Sequence, residues 1–158
     1  FYADSQKPLF ERKIRLRVTA LHLSSFQEYY HLITASKEGE QEFTRLIDVL
    51  AVHETSFFRI PGHFTGLETV VFPEVLQRSS GKKEADIRIW SAGCSTGEEP
   101  YSITMSFLET LSHQRGSLSS PKKLHILATD VSPRMIEIAR EGIYTLQKVQ
   151  KIYMPVLF

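Results

Sequence analysis

Between Ile87 and Ile103 the chain reads Ile-Arg-Ile-Trp-Ser-Ala-Gly-Cys-Ser-Thr-Gly-Glu-Glu-Pro-Tyr-Ser-Ile. A short β-rich run, two glycines four apart and a proline inside a new amphipathic segment predict a strand over 87–92, a tight turn and a helix over 98–111. A second unit of the same kind follows. Leu124 to Thr129 reads as a strand, Asp130 ends it, and 132–141 reads as a helix opened by Ser132 and Pro133. The order β-α-β-α implies parallel strands with right-handed crossovers. In such sheets ligands bind beyond the carboxyl ends of the strands, where both Gly93 and Asp130 fall.

The charge at that turn restricts the ligand. A helix N-terminus favours anions, yet here it carries Glu98 and Glu99. Two carboxylates would repel a pyrophosphate and suit a ligand with positive charge or hydroxyl donors. S-adenosylmethionine is such a ligand, with a sulfonium, an ammonium and ribose hydroxyls but no phosphate. The Gly-x-x-x-Gly spacing is not that of a nicotinamide site, and no Gly-Lys-Ser/Thr follows. An acid at the end of the second strand can accept hydrogen bonds from ribose hydroxyls. The same residues also suit plain capping. Asp130 or Ser132 can cap the next helix, and Glu98 and Glu99 complement a helix dipole.

The rest of the chain divides around this unit. Residues 1–52 read as a helical domain. Leu9, Ile14, Leu16, Val18, Leu21 and Leu23 lie among basic residues, and Ser24-Ser25-Phe26-Gln27-Glu28 resembles a capping box. Lys37-Glu38-Gly39-Glu40 reads as a polar turn, and Phe43, Leu46, Ile47 and Leu50 repeat at helical spacing. Residues 53–85 form a linker and a helix over 64–76, disturbed by Val70, Val71 and Pro73, then a hydrophilic connector from 78 to 86. Residues 86–158 form a partial α/β domain, with a polar loop over 112–123.

At 42% hydrophobic and 23% charged the chain has a globular composition. No apolar run approaches the roughly 20 residues of a bilayer span. A net charge of +1 points to neither nucleic acid nor membrane insertion. Cys94 is the single cysteine, which suits a cytoplasmic protein. It reads as a small turn residue. The histidines show no metal-ligand spacing, so no metal site is expected. Phe57, Phe58 and Trp90 read as core. Starting at Phe1 and stopping at Phe158, the chain reads as a fragment of a longer protein.

Thr55-Ser56-Phe57-Phe58-Arg59, then Trp90 to Ser102, then Ala128-Thr129-Asp130 and Ala139-Arg140-Glu141-Gly142-Ile143-Tyr144 occur in that order. Together they strongly resemble the CheR-type chemotaxis receptor methyltransferases, over nearly the whole chain. The resemblance implies an all-α domain followed by part of a Rossmann-like class I methyltransferase domain. It implies methyl transfer from S-adenosylmethionine to receptor glutamates, with S-adenosylhomocysteine as product. It assigns cofactor contacts to Thr55 and Arg59, the latter facing the cofactor carboxylate. Glu98 would face the methionine ammonium, Asp130 the ribose and Val131 the adenine, with Ala92 and Gly93 giving backbone access. His53 stands where the family usually has Asn, and a ligand role and simple packing both stay open for it.

An ionised glutamate is already a nucleophile, so direct displacement at the methyl carbon needs no general base and no catalytic residue is assigned. The resemblance implies docking of the receptors' cytoplasmic signalling helices on the basic segment holding Arg12, Lys13, Arg15 and Arg17, for which a solvated helix face is the alternative. Two other readings stay open: a cofactor-binding or regulatory domain without catalysis, and a helical interaction module with a vestigial sheet. A two-stranded parallel sheet is marginal alone, so self-association is expected if the chain is complete.

Overall fold

A computed structural model describes residues 6–35, 37–78, 86–113 and 123–152. The chain divides into two compact units, Phe1–Val52 and His53–Phe158.

The first unit is helical. Helix α1 (Lys7–Ala20) starts with Pro8 in its first turn, where the missing N–H goes unneeded. Helix α2 (Phe26–Ala35) opens with the expected capping box: Ser25 Oγ accepts from the Glu28 N–H at 3.1 Å, while the Glu28 carboxylate accepts from the Ser24 N–H at 2.8 Å. Helix α3 (Lys37–Leu50) corrects the sequence reading, because its first turn is the stretch expected to be a polar turn. Glu38 and Glu40 complement the positive end of the helix there. Gly39 lets α3 approach the α2 backbone, since a Cβ at that position would lie 2.1 Å from the Leu32 carbonyl oxygen. Val18, Tyr29 and Leu46 are the buried centre, with Ile14, Leu21, Leu23, Ile33 and Leu50 packed around them.

A charged group shares this small core. Glu42 is 3% exposed. It accepts two hydrogen bonds from the Arg17 guanidinium, at 2.8 and 2.7 Å, and one from the Tyr29 hydroxyl at 2.9 Å. The Arg17 bonds hold the Glu42 carboxyl below the ordinary carboxylate range, and burial pushes the Tyr29 phenol up.

In the second unit the helix expected over 64–76 is three consecutive segments. Helix α4 (Pro61–Gly66) passes into a π-helical turn (Leu67–Val71), which passes into α5 (Phe72–Arg78). Proline inside a helix lacks a donor and crowds the carbonyl four residues back. The widened turn, in which the Phe72 N–H reaches the Leu67 carbonyl, lies immediately before Pro73 and absorbs both faults.

Strand β1 (Ile87–Ala92), helix α6 (Glu98–His113), strand β2 (Leu124–Thr129) and helix α7 (Pro133–Glu141) follow in the expected order. The strands are parallel, in register from Ile87 opposite Leu124 to Ala92 opposite Thr129. Ser132 caps α7 by accepting from the Met135 N–H, and Gly142 ends it in the left-handed region. Helix α8 (Leu146–Val149) and a 3₁₀ turn (Gln150–Ile152) complete the described chain. The connector over 79–85 and most of the expected polar loop, 114–122, lie outside the described residues.

One sheet face is packed. Ile87, Ile103, Phe107, Phe64, Phe72 and Leu76 form the core, with Ile89, Leu124 and Ile126 against it. The other face carries Arg88, Trp90, His125 and Leu127. Trp90, expected in the core, is 68% exposed there, because strict alternation puts it opposite Ile89 and Ser91. Its indole N–H is satisfied by Thr129 Oγ1 at 2.9 Å. Among the described residues no helix is long and apolar enough to cross a membrane.

Candidate functional site

The turn after β1 is held in a conformation few sequences adopt. Gly93, Ser95 and Gly97 all have positive φ, at 80°, 48° and 93°. Ser95 is not glycine, so its neighbours must over-determine it. They do. The Ser95 N–H donates to Asp130 Oδ2 at 2.8 Å and its hydroxyl donates to the His53 carbonyl at 3.0 Å. The Gly93 and Cys94 N–H groups both donate to the Thr129 carbonyl, which ties the turn to the end of β2. Among the described residues nothing lies within 4 Å of a Cβ built on Gly93, so its backbone faces open space at the strand ends.

Asp130 bridges the two strand-helix junctions. One carboxylate oxygen holds Ser95, and the other accepts from the Ser132 N–H at 2.9 Å. Each oxygen keeps a second lone pair for a hydroxyl donor. Asp130 is therefore a structural acceptor with binding capacity left over, while Ser132 performs the capping. Val131 beside it is exposed. Cys94 is buried, and desolvation followed by the Asp130 charge pushes its thiol up, as suits a packing residue.

The two turn glutamates face different ways. Glu98 is fully buried, accepting from Thr96 Oγ1 at 2.6 Å and from Lys148 Nζ. Glu99 is exposed, and its Oε1 accepts from the Ser91 hydroxyl at 2.6 Å, at the end of β1. Glu98 is the acid expected from the sequence to face the ligand. Spacing cannot tell adjacent acids apart, and Ser91, an inward strand position two residues before Gly93, was the available signal.

The linker before α4 packs on this turn. Phe57 is buried edge-on to Tyr144, with ring centroids 4.8 Å apart, and Phe58 packs edge-on to Phe64 at 4.9 Å. The Phe58 N–H donates to Ser102 Oγ at 3.0 Å. The packing expectation for both phenylalanines is thus met. Thr55 and His53 are half-buried, and His53 meets the turn through its backbone carbonyl. Arg59 is exposed and bonds the Glu54 carbonyl at 2.9 Å.

The sequence separates into two family matches that follow these units. Residues 2–51 match the CheR methyltransferase all-alpha domain, and residues 53–157 match the CheR methyltransferase SAM binding domain. The chain belongs to the CheR methyltransferase family.

Among its relatives, the chemotaxis protein methyltransferase of Borreliella burgdorferi is 35% identical over 147 residues, 93% of this chain and 50% of that protein. Chemotaxis protein methyltransferase 2 of Pseudomonas aeruginosa is 35% identical over 154 residues, 97% of this chain and 49% of that protein. The probable biofilm formation methyltransferase WspC of the same organism is 38% identical over 136 residues, 86% of this chain and 29% of that protein. This CheR-family chain spans about half the length of the first two relatives.

In the helical CheR unit, Arg12 is exposed and Lys13 half-buried, and Arg15 lies over the Phe26 ring at 5.0 Å. Arg17 departs from its expected docking role, because its guanidinium is committed to Glu42.

Proposed function

We propose that this chain holds S-adenosylmethionine at the ends of β1 and β2 and contributes to methyl transfer onto glutamate side chains of chemotaxis receptors. The carrying observation is the chemistry of the strand ends. Open backbone at Gly93 meets two carboxylates, Asp130 and Glu99, each already oriented by hydrogen bonds. That set of acceptors fits a ligand with cationic and hydroxyl groups and no phosphate. When bound, S-adenosylmethionine supplies an electrophilic methyl group on a sulfonium and leaves as S-adenosylhomocysteine.

The residues divide the work. Asp130 accepts the ribose hydroxyls through its remaining lone pairs, with exposed Val131 against the base. Glu99, in place of the expected Glu98, faces the methionine ammonium, because Glu98 is buried against Lys148. Ala92 and Gly93 let the ligand approach the backbone. Thr55 and Arg59 lie on the linker that covers the turn, and Arg59 reaches the ligand carboxylate by leaving Glu54, a swap between exposed partners that costs little. His53 serves through its carbonyl, which accepts from the Ser95 hydroxyl. Orientation of the methyl group toward an already ionised acceptor is the main catalytic contribution.

Arg12, Lys13 and Arg15 are the docking candidates for the receptors' acidic cytoplasmic helices, which would place the protein in the cytoplasm.

Calorimetry with S-adenosylhomocysteine tests the reading. Glu99→Gln is expected to weaken binding by about tenfold, the loss of one charge-assisted hydrogen bond, with the melting temperature unmoved. Asp130→Asn should weaken it as well. Unchanged affinity in both variants sinks the assignment. Transfer of labelled methyl groups to receptor fragments by the parent protein tests the activity itself.

A further inference from the structure

The turn over 93–97 is clamped from two sides, and only one side belongs to the strand ends. Behind it lie the last turn of α7 and the segment that follows it. The Tyr144 hydroxyl donates to the Thr96 carbonyl at 2.7 Å. A Cβ on Gly97 would meet Tyr144 Oη at 2.8 Å and Ala139 Cβ at 2.9 Å, so the turn backbone lies directly on this segment. Lys148 Nζ pairs with Glu98 Oε1 and reaches Thr96 Oγ1 at 3.4 Å. Thr96 and Gly97 of the turn and Glu98 at the start of α6 are thus engaged by residues 139–148.

The Glu98–Lys148 pair has an asymmetry that matters. Glu98 has no solvent exposure, whereas the Lys148 side chain is 43% exposed. A buried carboxylate needs a counter-charge far more than a half-exposed ammonium does. Helix α8, which carries Lys148, has four residues and cannot persist by its own hydrogen bonding. It stays where it is through what it touches. Lys148 Nζ also lies over the Tyr144 ring, 5.8 Å from its centroid, which brings the charge pair and the hydroxyl bond close together. On the other side, Ser95 sits at φ 48°, a conformation that survives only while its surroundings fix it.

We propose that Lys148, through Glu98, is a positioning residue that holds the 93–97 turn in the geometry required by the methyl donor. The inference rests on the methyl-donor reading above and extends it to residues that touch no ligand. Losing the clasp removes the counter-charge of Glu98 and leaves it the Thr96 hydroxyl, so the turn opens to hydrate it. A turn that keeps its competent geometry a tenth of the time binds about tenfold more weakly.

Three variants are compared with the parent chain: Lys148→Met, Lys148→Arg, and Glu98→Gln combined with Lys148→Met. Two readouts are taken on each, amide exchange at residues 94–98 without ligand and S-adenosylhomocysteine affinity. Lys148→Met is expected to speed exchange in the turn and to weaken binding by roughly tenfold. Lys148→Arg should restore both, and the double variant should recover part of each because no charge is left buried. The double variant also keeps the test meaningful if Lys148→Met folds poorly.

Faster exchange with affinity within twofold of the parent would make Lys148 merely structural and overturn the proposal. Unchanged exchange would overturn it equally. A parent chain that binds no S-adenosylhomocysteine refutes the methyl-donor reading and the proposal with it. A parent that binds as well as Lys148→Met refutes the proposal alone.

Discussion

Replacing Arg17 by Met removes both guanidinium bonds to Glu42 and leaves an ionised carboxylate almost wholly buried. Removing one partner of a buried ion pair costs about 3–5 kcal/mol. Two features pull the expected value toward the lower end. The Tyr29 hydroxyl still donates to Glu42, and Arg45, 3.9 Å away and mostly exposed, can swing closer. The lost Arg17 side chain was itself only one fifth exposed, so the cost of burying its charge is recovered. We expect about 3 kcal/mol. A unit the size of Phe1–Val52 has a total stability of about 3–8 kcal/mol at typical values per residue. The substitution should therefore bring α1–α3 to the edge of unfolding while leaving the second unit folded. Residue-resolved amide exchange on the whole chain reads this directly. Protection in α1–α3 should fall by about two orders of magnitude, with protection in β1, α6 and β2 unchanged. A drop of less than threefold in α1–α3 would refute the reasoning. It would show that Arg45 or water replaces Arg17, and return Arg17 to the docking surface.

Two further outcomes are expected, one in each unit. Arg17 holds the folded Glu42 carboxyl below the ordinary 4.5, so the unfolded chain takes up the proton first as pH falls. The pair's contribution is complete above that ordinary value and is lost as pH drops through the depressed one. Exchange protection of α1–α3 should decline as pH falls below that ordinary value, and the decline should flatten in Arg17→Met. In the second unit, Gly97→Ala combines a φ of 93° with a Cβ lying 2.8 Å from Tyr144 Oη. It should cost about 3 kcal/mol in urea denaturation, and a shift under 0.5 kcal/mol would show that the turn relaxes freely.

Much of this architecture is written in local signals. The spacing of Gly93, Gly97 and the following apolar residues marks strand, turn and helix, and the Ser25–Glu28 pairing marks the start of α2. What sequence could not convey are choices made by the third dimension. Glu98 and Glu99 are chemically identical neighbours, and only the 100° between successive helix positions sends one to Lys148 and the other to Ser91. Arg17 looks like any member of a basic run until α3 brings Glu42 beneath it, 25 residues away. Gly39 suggests a turn on propensity, yet its value lies in the closeness of two backbones. Pro73 announced a disturbance but not its form, since a kink, a break or a π turn each answer a missing donor. Trp90 was misplaced by its type: alternation along β1 outranks the usual preference of indole for the interior.

That placement gives the chain an optical property. Trp90 is the single tryptophan, so its emission has one origin. Its indole N–H is tied to the hydroxyl of Thr129, the residue whose carbonyl anchors the glycine turn and whose neighbour is Asp130. The fluorophore is thus wired to the strand ends through one hydrogen bond while its ring lies in water. A shift of those ends changes the indole bond, and anything that settles on the open sheet face dries the ring. Either change alters the emission, so one native side chain reports on movement of the strand ends and on coverage of the sheet.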